Sequence, residues 1–244
     1  MRKQKKKKRK MKKVEITEDI FKKFPKLNIG LLIARRITNK GESKTLHHLL
    51  KEVESLIKTD FVSEKLAKHK LISPWRSAFL AFGSEPHKYH SSVEILMRKA
   101  LEGKSIYKKN KLVDIYNYFS LKNLIPLGGD DLDQVIGDIK LTFAEGTENF
   151  VPSGEGNKQN PDKGEVIYTD EIEVLCRKWN WKECYKTRIT ENTKNAILYV
   201  EGISPVTKKE VEKVLKGLKS LIRLHCGGDI TSFILNKNNP IAKL

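Results

Sequence analysis

Apolar residues recur every three to four positions in several segments of the chain, a spacing that places them on one face of a helix. Four of these segments follow a residue that can cap a helix, and the predicted caps are Thr17, Ser43, Ser91 and Thr207. A glutamate stands three positions after each of the last two caps, which predicts a capping box in both helices. A further helical stripe at 112–119 is predicted to end at the break formed by residues 126–129.

Elsewhere apolar residues alternate with polar ones or form short apolar runs, and both patterns predict strands. The predicted strands lie at 27–33, 139–143, 166–168, 172–176, 196–200 and 230–235. Residues 146–164 are rich in Gly, Asn, Pro and Ser, so we expect a long surface loop of the kind that often borders a site. Residues 14–244 show no repeat and no linker, which indicates one domain.

The chain is basic, with 48 Lys and Arg against 30 Asp and Glu and a net charge of +18. Ten of the positive charges lie in residues 1–13, which cannot pack together and are predicted to form a disordered arm. Such an arm binds RNA through counterion release, and the alternatives are a solvated tail or a nuclear-type address signal. The residues predicted to contact RNA are Arg2, Lys3, Lys5, Lys6, Lys7, Lys8, Arg9 and Lys10.

The sequence lacks the signals of membrane, secreted, metal-binding and nucleotide-binding proteins. No run approaches 18 apolar residues and no apolar segment follows the basic arm, so neither a membrane span nor secretion is expected. The three cysteines lack metal-type spacing, which indicates a cytoplasmic protein without disulfides. We expect no metal and no cofactor, because the acidic residues after Gly128-Gly129 would repel phosphate and are more typical of caps than of a magnesium site.

A basic and aromatic run, Arg177-Lys178-Trp179-Asn180-Trp181, follows the strand predicted at 172–176. Indole rings stack on bases and a guanidinium grips phosphate, so the run is a predicted nucleic-acid contact. The alternative is that one tryptophan belongs to the core. We expect Trp179 and Trp181 to point to opposite sides, so that one of them faces a cleft.

Several motifs occur in the order and spacing of a known family. They are Ser91-Ser92-Val93-Glu94, Asn110-Lys111-Leu112-Val113-Asp114, Tyr116-Asn117-Tyr118, Pro126-Leu127, Asp131-Leu132-Asp133, Gly137-Asp138-Ile139 and Gly164-Glu165-Val166. Over about residues 91–201 the chain resembles the B3/B4 domain of the phenylalanyl-tRNA synthetase beta subunit. The resemblance implies an α+β fold in three layers, with a mixed β-sandwich of unusual topology and flanking helices.

The resemblance also implies a function. In the synthetase this domain hydrolyses the ester of tRNA that carries tyrosine in place of phenylalanine, and this chain resembles none of the synthetase's catalytic or anticodon-reading parts. A free-standing module of this kind is expected to bind tRNA and to edit mischarged aminoacyl-tRNA in trans. Two alternatives stay open, namely a non-catalytic tRNA-binding module and a pocket for a free amino acid.

The same resemblance implies the site residues. Asn117 falls on an asparagine that lines the editing pocket, whereas Gly128 falls on a pocket histidine. The implied catalytic residues are Asn117, which orients water or the carbonyl, and Gly128 and Gly129, which leave room for the terminal adenosine. Arg177 is expected to hold phosphate and Glu201 to read the substrate amine. From the resemblance and the basic and aromatic run together, the predicted substrate-binding residues are Asn110, Tyr116, Asp131, Arg177, Trp179, Asn180, Trp181 and Glu201.

Overall fold

The computed structural model describes residues 12–154 and 156–244, which form an α+β fold. The helices are α1 (Glu18–Lys23), α2 (Lys44–Asp60), α3 (Ser63–Leu66), α4 (Ser73–Ala81), α5 (Ser92–Leu101), α6 (Lys111–Asn123) and α7 (Lys208–Cys226). The strands are β1 (Lys13–Ile16), β2 (Asn28–Arg35), β3 (Leu127–Asp131), β4 (Ile139–Phe143), β5 (Val166–Thr169), β6 (Val174–Arg177), β7 (Lys182–Glu183), β8 (Ala196–Gly202), β9 (Asp229–Leu235) and β10 (Ile241–Lys243).

The strands form two sheets that share one hydrophobic core. The larger sheet has the order β10-β1-β4-β5-β6-β7, and the smaller one has the order β3-β8-β2-β9. Strand β1 pairs with β4 in parallel, while the other strand pairs of the described residues are antiparallel, so the larger sheet is mixed. This arrangement agrees with the mixed sandwich that the resemblance implied.

Strand β8 lies in the middle of the smaller sheet and is buried along its whole length. Because side chains alternate across a strand, Ile197 and Tyr199 face the core between the sheets, whereas Leu198 and Val200 face α6 and α7. Glu201 continues the first of these two rows. The helices on the outer face therefore make the third layer, and the inner row carries a carboxylate into the space between the sheets.

Helix α7 covers the outer face of the smaller sheet. Its capping box is confirmed, since the Thr207 hydroxyl accepts from the Glu210 N–H and the Glu210 carboxylate accepts from the Thr207 N–H. The helix lies so close to β2 that a Cβ at Gly30 would stand 2.8 Å from Val211 Cγ1. Glycine at this position is thus required by the close approach of helix and strand.

Three details of the sequence prediction are wrong. The capping box at Ser91 is absent, because the Glu94 carboxylate instead accepts from Arg76 Nη1 and Arg98 Nη2, both at 2.7 Å. Ile172 lies outside β6 and is exposed. Helix α6 ends at Asn123, and residues 127–131 form strand β3 where the sequence pattern predicts a break.

The folded part of the chain includes Lys12 and Lys13, which the sequence pattern assigns to the basic arm. Lys13 begins β1, and the Lys12 ammonium donates to the carbonyl oxygens of Leu132 and Val135 at 2.7 and 2.6 Å. Residues 1–11 lie outside the described residues, and so do the eight predicted RNA contacts between Arg2 and Lys10. Across residues 12–154 and 156–244 we find no helix with the length and apolar character that a membrane span requires.

Candidate functional site

A cavity of about 270 Å³ opens between the two sheets, beside α5 and α6. Its walls come from α5, α6, the edge strand β3, strands β5, β6 and β8, and the turn that joins β6 to β7. The structure brings eight of the predicted site residues together in its lining. They are Tyr116, Asn117, Gly128, Gly129, Trp179, Asn180, Trp181 and Glu201.

Glu201 forms one side of the cavity floor and has no cationic partner in the part of the chain that the structure describes. The Tyr168 hydroxyl donates to its Oε1 at 2.7 Å, and the Asn180 amide donates to its Oε2 at 2.5 Å. Burial raises the pKa of Glu201 to about 7, although these two hydrogen bonds act in the opposite direction. The group is therefore able to gain or lose a proton near neutral pH.

Asp130 forms the other side of the floor in the same manner. Its carboxylate accepts from the Thr187 hydroxyl at 2.5 Å and from the Tyr199 hydroxyl at 3.0 Å. Burial raises the pKa of Asp130 to about 7. The rings of Tyr168 and Tyr199 lie 4.6 Å apart, so the two tyrosine–carboxyl pairs stand next to each other. Such perturbed carboxyl groups in a cavity are typical of functional sites.

The sequence pattern does not identify Asp130, Tyr168 and Tyr199 as site residues. It predicts a cap at Asp130 and ordinary strand positions for the two tyrosines. A signal is present in β8, where an otherwise apolar run carries Glu201 on the row that faces inward. A buried carboxylate requires hydrogen-bond donors, which predicts hydroxyl or amide partners on the facing strands.

Asn117 lines the cavity from α6, one position after Tyr116. It is buried, yet its side-chain amide makes no hydrogen bond to another residue within the described ranges. The amide can thus donate to or accept from a bound ligand. Tyr116 adds a buried aromatic wall beside it.

Gly128 and Gly129 differ in what their missing side chains allow. A Cβ at Gly128 would meet no atom within 4 Å, so this position leaves open space beside the cavity. A Cβ at Gly129 would stand 2.5 Å from the carbonyl oxygen of Ile197 and would also collide with Leu198. Gly129 is therefore required by strand packing, and Gly128 alone fits the predicted role of leaving room.

The turn after β6 carries both tryptophans to the cavity. Lys178 and Trp179 adopt positive φ values of 45° and 65°, which turns the chain back toward β7. Trp179 is fully buried and packs edge-on against Trp75, with the ring centres 5.1 Å apart. Trp181 is half-buried against Tyr89. Both indoles border the cavity, whereas the sequence pattern predicts that only one faces a cleft.

Three predicted substrate-binding residues lie away from the cavity lining. The Arg177 guanidinium donates to both carboxylate oxygens of Glu165, at 2.9 and 2.8 Å, and so is not available for phosphate. The Asn110 carboxamide oxygen accepts from the Val113 N–H and caps α6. The third residue, Asp131, accepts from the Thr193 hydroxyl at 2.7 Å. These contacts are those of structural residues.

Two further features bear on the chemistry. Cys176 lines the cavity, but burial raises the pKa of its thiol well above the usual range, and Glu201 and Asp130 raise it further. A protonated thiol is a poor nucleophile. Among the described residues no group of three or more His, Cys, Asp and Glu side chains is arranged to hold a metal ion.

Similarity to known proteins assigns the chain to a family. No curated protein matches the chain. A crystal structure of an N-terminal fragment of the phenylalanyl-tRNA synthetase beta-subunit from Pyrococcus horikoshii is similar, with 16% identity and a TM-score of 0.46. The similarity covers 93% of this chain but 56% of that fragment, so the chain spans just over half of its length. Residues 74–227 match the B3/4 domain, and because this match covers more than half of the chain, the protein belongs to the B3/4 domain family.

Proposed function

We propose that the protein binds aminoacyl-tRNA in the cytoplasm and hydrolyses, in trans, the ester that joins a wrong amino acid to the tRNA. The observation that carries this proposal is the composition of one cavity. It holds an available amide, Asn117, beside two buried carboxyl groups, Asp130 and Glu201, whose pKa values lie near 7.

The cavity fits a single aminoacyl group. Its volume of about 270 Å³ lies just below the range of small-molecule pockets, which begins at about 300 Å³. The α-ammonium group of an amino acid is attracted by the carboxylates at the floor, and an amino-acid side chain is covered by the aromatic walls. Tyr116, Trp179 and Trp181 form those walls. Glu201 retains the predicted role of reading the amine, since each carboxylate oxygen can accept a second hydrogen bond.

Hydrolysis of such an ester needs positioning more than strong bases, because the ester is already activated. The oxygen of a water molecule adds to the ester carbonyl carbon, the bond from that carbon to the ribose oxygen breaks, and the ribose oxygen takes up the proton released by water. The Asn117 amide donates to the carbonyl oxygen as negative charge develops there. A carboxyl group that titrates near neutral pH, such as Glu201 or Asp130, is suited to relay the proton.

A second function is a non-catalytic tRNA-binding module. It is favoured by one observation, namely that no histidine is found among the described residues that line the cavity. The position that the resemblance assigns to a pocket histidine is Gly128, where the space beside the backbone is open. Such a module would bind tRNA with the same cavity but leave the ester intact.

The test is to incubate the protein with a panel of correctly and incorrectly charged tRNAs and to follow the loss of ester. We expect hydrolysis of at least one mischarged tRNA, and a loss of roughly 10- to 100-fold in rate for Asn117→Ala, since a single oxyanion donor contributes on this scale or above. Asn123→Ala is the matched control, because Asn123 lies on the same helix outside the cavity lining and its amide donates to the Phe119 carbonyl oxygen.

Ester loss that is equal in wild-type and Asn117→Ala protein would remove Asn117 from the mechanism. Tight tRNA binding without hydrolysis of any member of the panel would establish the binding module instead. The free-amino-acid pocket is tested by calorimetry with the amino acids alone.

A further inference from the structure

Helix α7 carries more positive charge than its own acids offset. Its 19 residues include six Lys and Arg against two Glu, whereas the 17 residues of α2 include three Lys against three Asp and Glu. Glu210 closes the capping box with Thr207, and Glu212 lies 3.7 Å from the Lys208 ammonium. The five other cations of α7 form no ion pair with any residue that the structure describes. The helix therefore presents unneutralised charge at its surface.

Four of these cations lie in one row along the helix. We call this row the α7 basic face, and its members are Lys209, Lys213, Lys216 and Arg223. Residues three or four positions apart are neighbours on a helix surface, and Ser220 occupies the step between Lys216 and Arg223. All four cationic side chains are exposed. At 1.5 Å per residue, the row from Lys209 to Arg223 is about 21 Å long.

The α7 basic face does not stabilise the helix that carries it. Lys209 lies in the first turn, where the positive end of the helix dipole disfavours a cation. Like charges three and four positions apart also repel one another, which is the arrangement of Lys209, Lys213 and Lys216. The stability of α7 comes from its opposite face, which packs against the smaller sheet and α6. An anionic partner relieves the repulsion along the row.

The chemistry of the helix selects among anionic partners. A helix that binds a membrane surface inserts its apolar face, but in α7 that face is buried in the core through Val211, Leu215 and Leu218. The helix has no aromatic residue to stack on the bases of a single strand. Double-stranded RNA keeps its bases paired and is recognised through its shape and its phosphates. A straight row of cations complements such a surface.

We propose that the α7 basic face binds the phosphate backbone of double-stranded RNA. The face lies apart from the cavity, because no described residue of the cavity lining belongs to α7. The inference therefore goes beyond the proposed function and holds whether or not an ester is hydrolysed. Since phosphates are common to all sequences, the affinity depends on salt concentration and not on the order of the bases.

The test compares the full chain with its variant K209Q/K213Q/K216Q. The probe is a short RNA duplex with blunt ends, which has no single-stranded end to enter the cavity. At about 0.1 M salt we expect the variant to bind this duplex about 10- to 100-fold more weakly, since each phosphate contact contributes through counterion release. The slope of log affinity against log salt becomes shallower by about 1 for each phosphate contact that is lost. Duplex binding that is unchanged in the variant overturns the proposal.

The matched control is K140Q/K158Q/K243Q, which removes the same charge elsewhere. Lys140 and Lys243 lie on strands β4 and β10 of the larger sheet, Lys158 lies in the loop before β5, and all three are exposed. Residues 1–11 are kept in every variant, so their charge is constant. An equal loss of affinity in this control overturns the proposal, because binding would then follow net charge.

A second variant, K209R/K213R/K216R, keeps the charge of the row. We expect it to bind the duplex as the wild type does, because arginine also binds phosphate. A loss equal to that of the glutamine variant overturns the proposal, since charge would then not be the determinant. Circular dichroism of all variants checks that the fold is intact, and glutamine is chosen because its helix propensity is close to that of lysine.

Two further probes separate the other anionic partners. They are an unpaired RNA strand with the same number of phosphates and vesicles that contain phosphatidylserine. If either binds the wild type as tightly as the duplex and loses as much affinity in the glutamine variant, the assignment to double-stranded RNA is wrong. The result is also independent of hydrolysis. Duplex binding that depends on the α7 basic face without ester loss refutes the proposed function alone, whereas ester loss with face-independent duplex binding refutes the face alone.

Discussion

Glu201 and Glu165 are both almost completely buried, with 2% and 1% of their surfaces exposed, but their partners differ. Glu165 accepts from two cations, Arg177 and Lys178, whose nitrogens lie 2.8 and 2.9 Å from Oε2. Glu201 instead accepts from the neutral groups of Tyr168 and Asn180. One buried carboxylate is thus neutralised by ion pairs, while the other has neutral hydrogen-bond donors and no counter-charge among residues 12–154 and 156–244.

The difference separates a structural role from a functional one. An ion-paired carboxylate keeps its charge, and its lone pairs are already used. A carboxyl group with neutral donors has its pKa moved toward neutral pH and can still attract a cationic ligand. The two regions are also connected, because Lys178 begins the turn that places Trp179, Asn180 and Trp181 at the cavity. The ion-paired cluster supports the wall of the cavity.

The largest effect is expected for Glu165→Gln. Removing this charge leaves Arg177 and Lys178 buried without their main partner, and breaking a buried pair in this way costs about 3–5 kcal/mol. Urea denaturation followed by tryptophan fluorescence measures the loss. Glu64→Gln, on the exposed surface of α3, is the control and should change stability by less than about 0.5 kcal/mol. A loss below about 1 kcal/mol for Glu165→Gln would show that the cluster is not a structural support.

The second effect is a pH dependence that the cavity carboxyls impose. A carboxyl whose folded pKa is raised binds more protons in the folded state, so it stabilises the fold less as pH rises from its unfolded value to its folded value. For Glu201 this window runs from about 4.5 to about 7. Each pH unit contributes at most about 1.4 kcal/mol, or roughly 3 kcal/mol over the window.

We therefore expect the free energy of unfolding of wild-type protein to fall between these pH values relative to that of Glu201→Gln. Asp130→Asn should behave alike, because its folded pKa is also about 7. Denaturation series at several pH values measure the difference. Parallel curves for wild type and both variants would mean that the cavity carboxyls are as solvated as surface groups.

A smaller effect is expected for Tyr168→Phe. The Tyr168 hydroxyl donates to Glu201, and the loss of one hydrogen bond to a buried acceptor costs about 1–3 kcal/mol. Because this hydrogen bond lowers the pKa of Glu201, its removal should move the pH midpoint upward. Tyr199→Phe is the comparison, since its hydroxyl donates to Asp130 instead. If the two variants shift the same titration, the tyrosine–carboxyl pairs are coupled and not separate.

Much of the fold and part of the candidate site could be predicted from local patterns and from the order of the motifs. The stripe of α7 and its capping box are local, because Thr207 and Glu210 meet within one turn. The resemblance located Asn117 and Glu201 at one site, although 84 positions separate them along the chain. Periodicity identified the strands that carry Tyr168 and Tyr199. The sequence therefore predicts most elements and the shared location of Asn117 and Glu201.

The partners of the buried charged side chains could not be predicted from local patterns or motif order. Arg177 is predicted to hold phosphate because an arginine beside two tryptophans is typical of nucleic-acid contacts. Its ion pair with Glu165 depends on the loop before β5 meeting the end of β6, which no spacing rule reveals. Gly129 is predicted to form part of a break because glycine is unfavourable in strands, yet β3 is an edge strand whose close contact with Ile197 requires it.

The smallest effect is expected for Asp162→Asn, the exposed member of the ion-paired cluster. The Lys178 ammonium lies 2.5 Å from Asp162 Oδ2, but the aspartate side chain is 72% exposed, so water screens the interaction. We expect a loss of about 0–1 kcal/mol in urea denaturation, with Glu165 still present to balance the buried cations. A loss close to that of Glu165→Gln would mean that the cluster needs both carboxylates to offset Arg177 and Lys178. The structural region would then depend on its total charge and not on the buried pair alone.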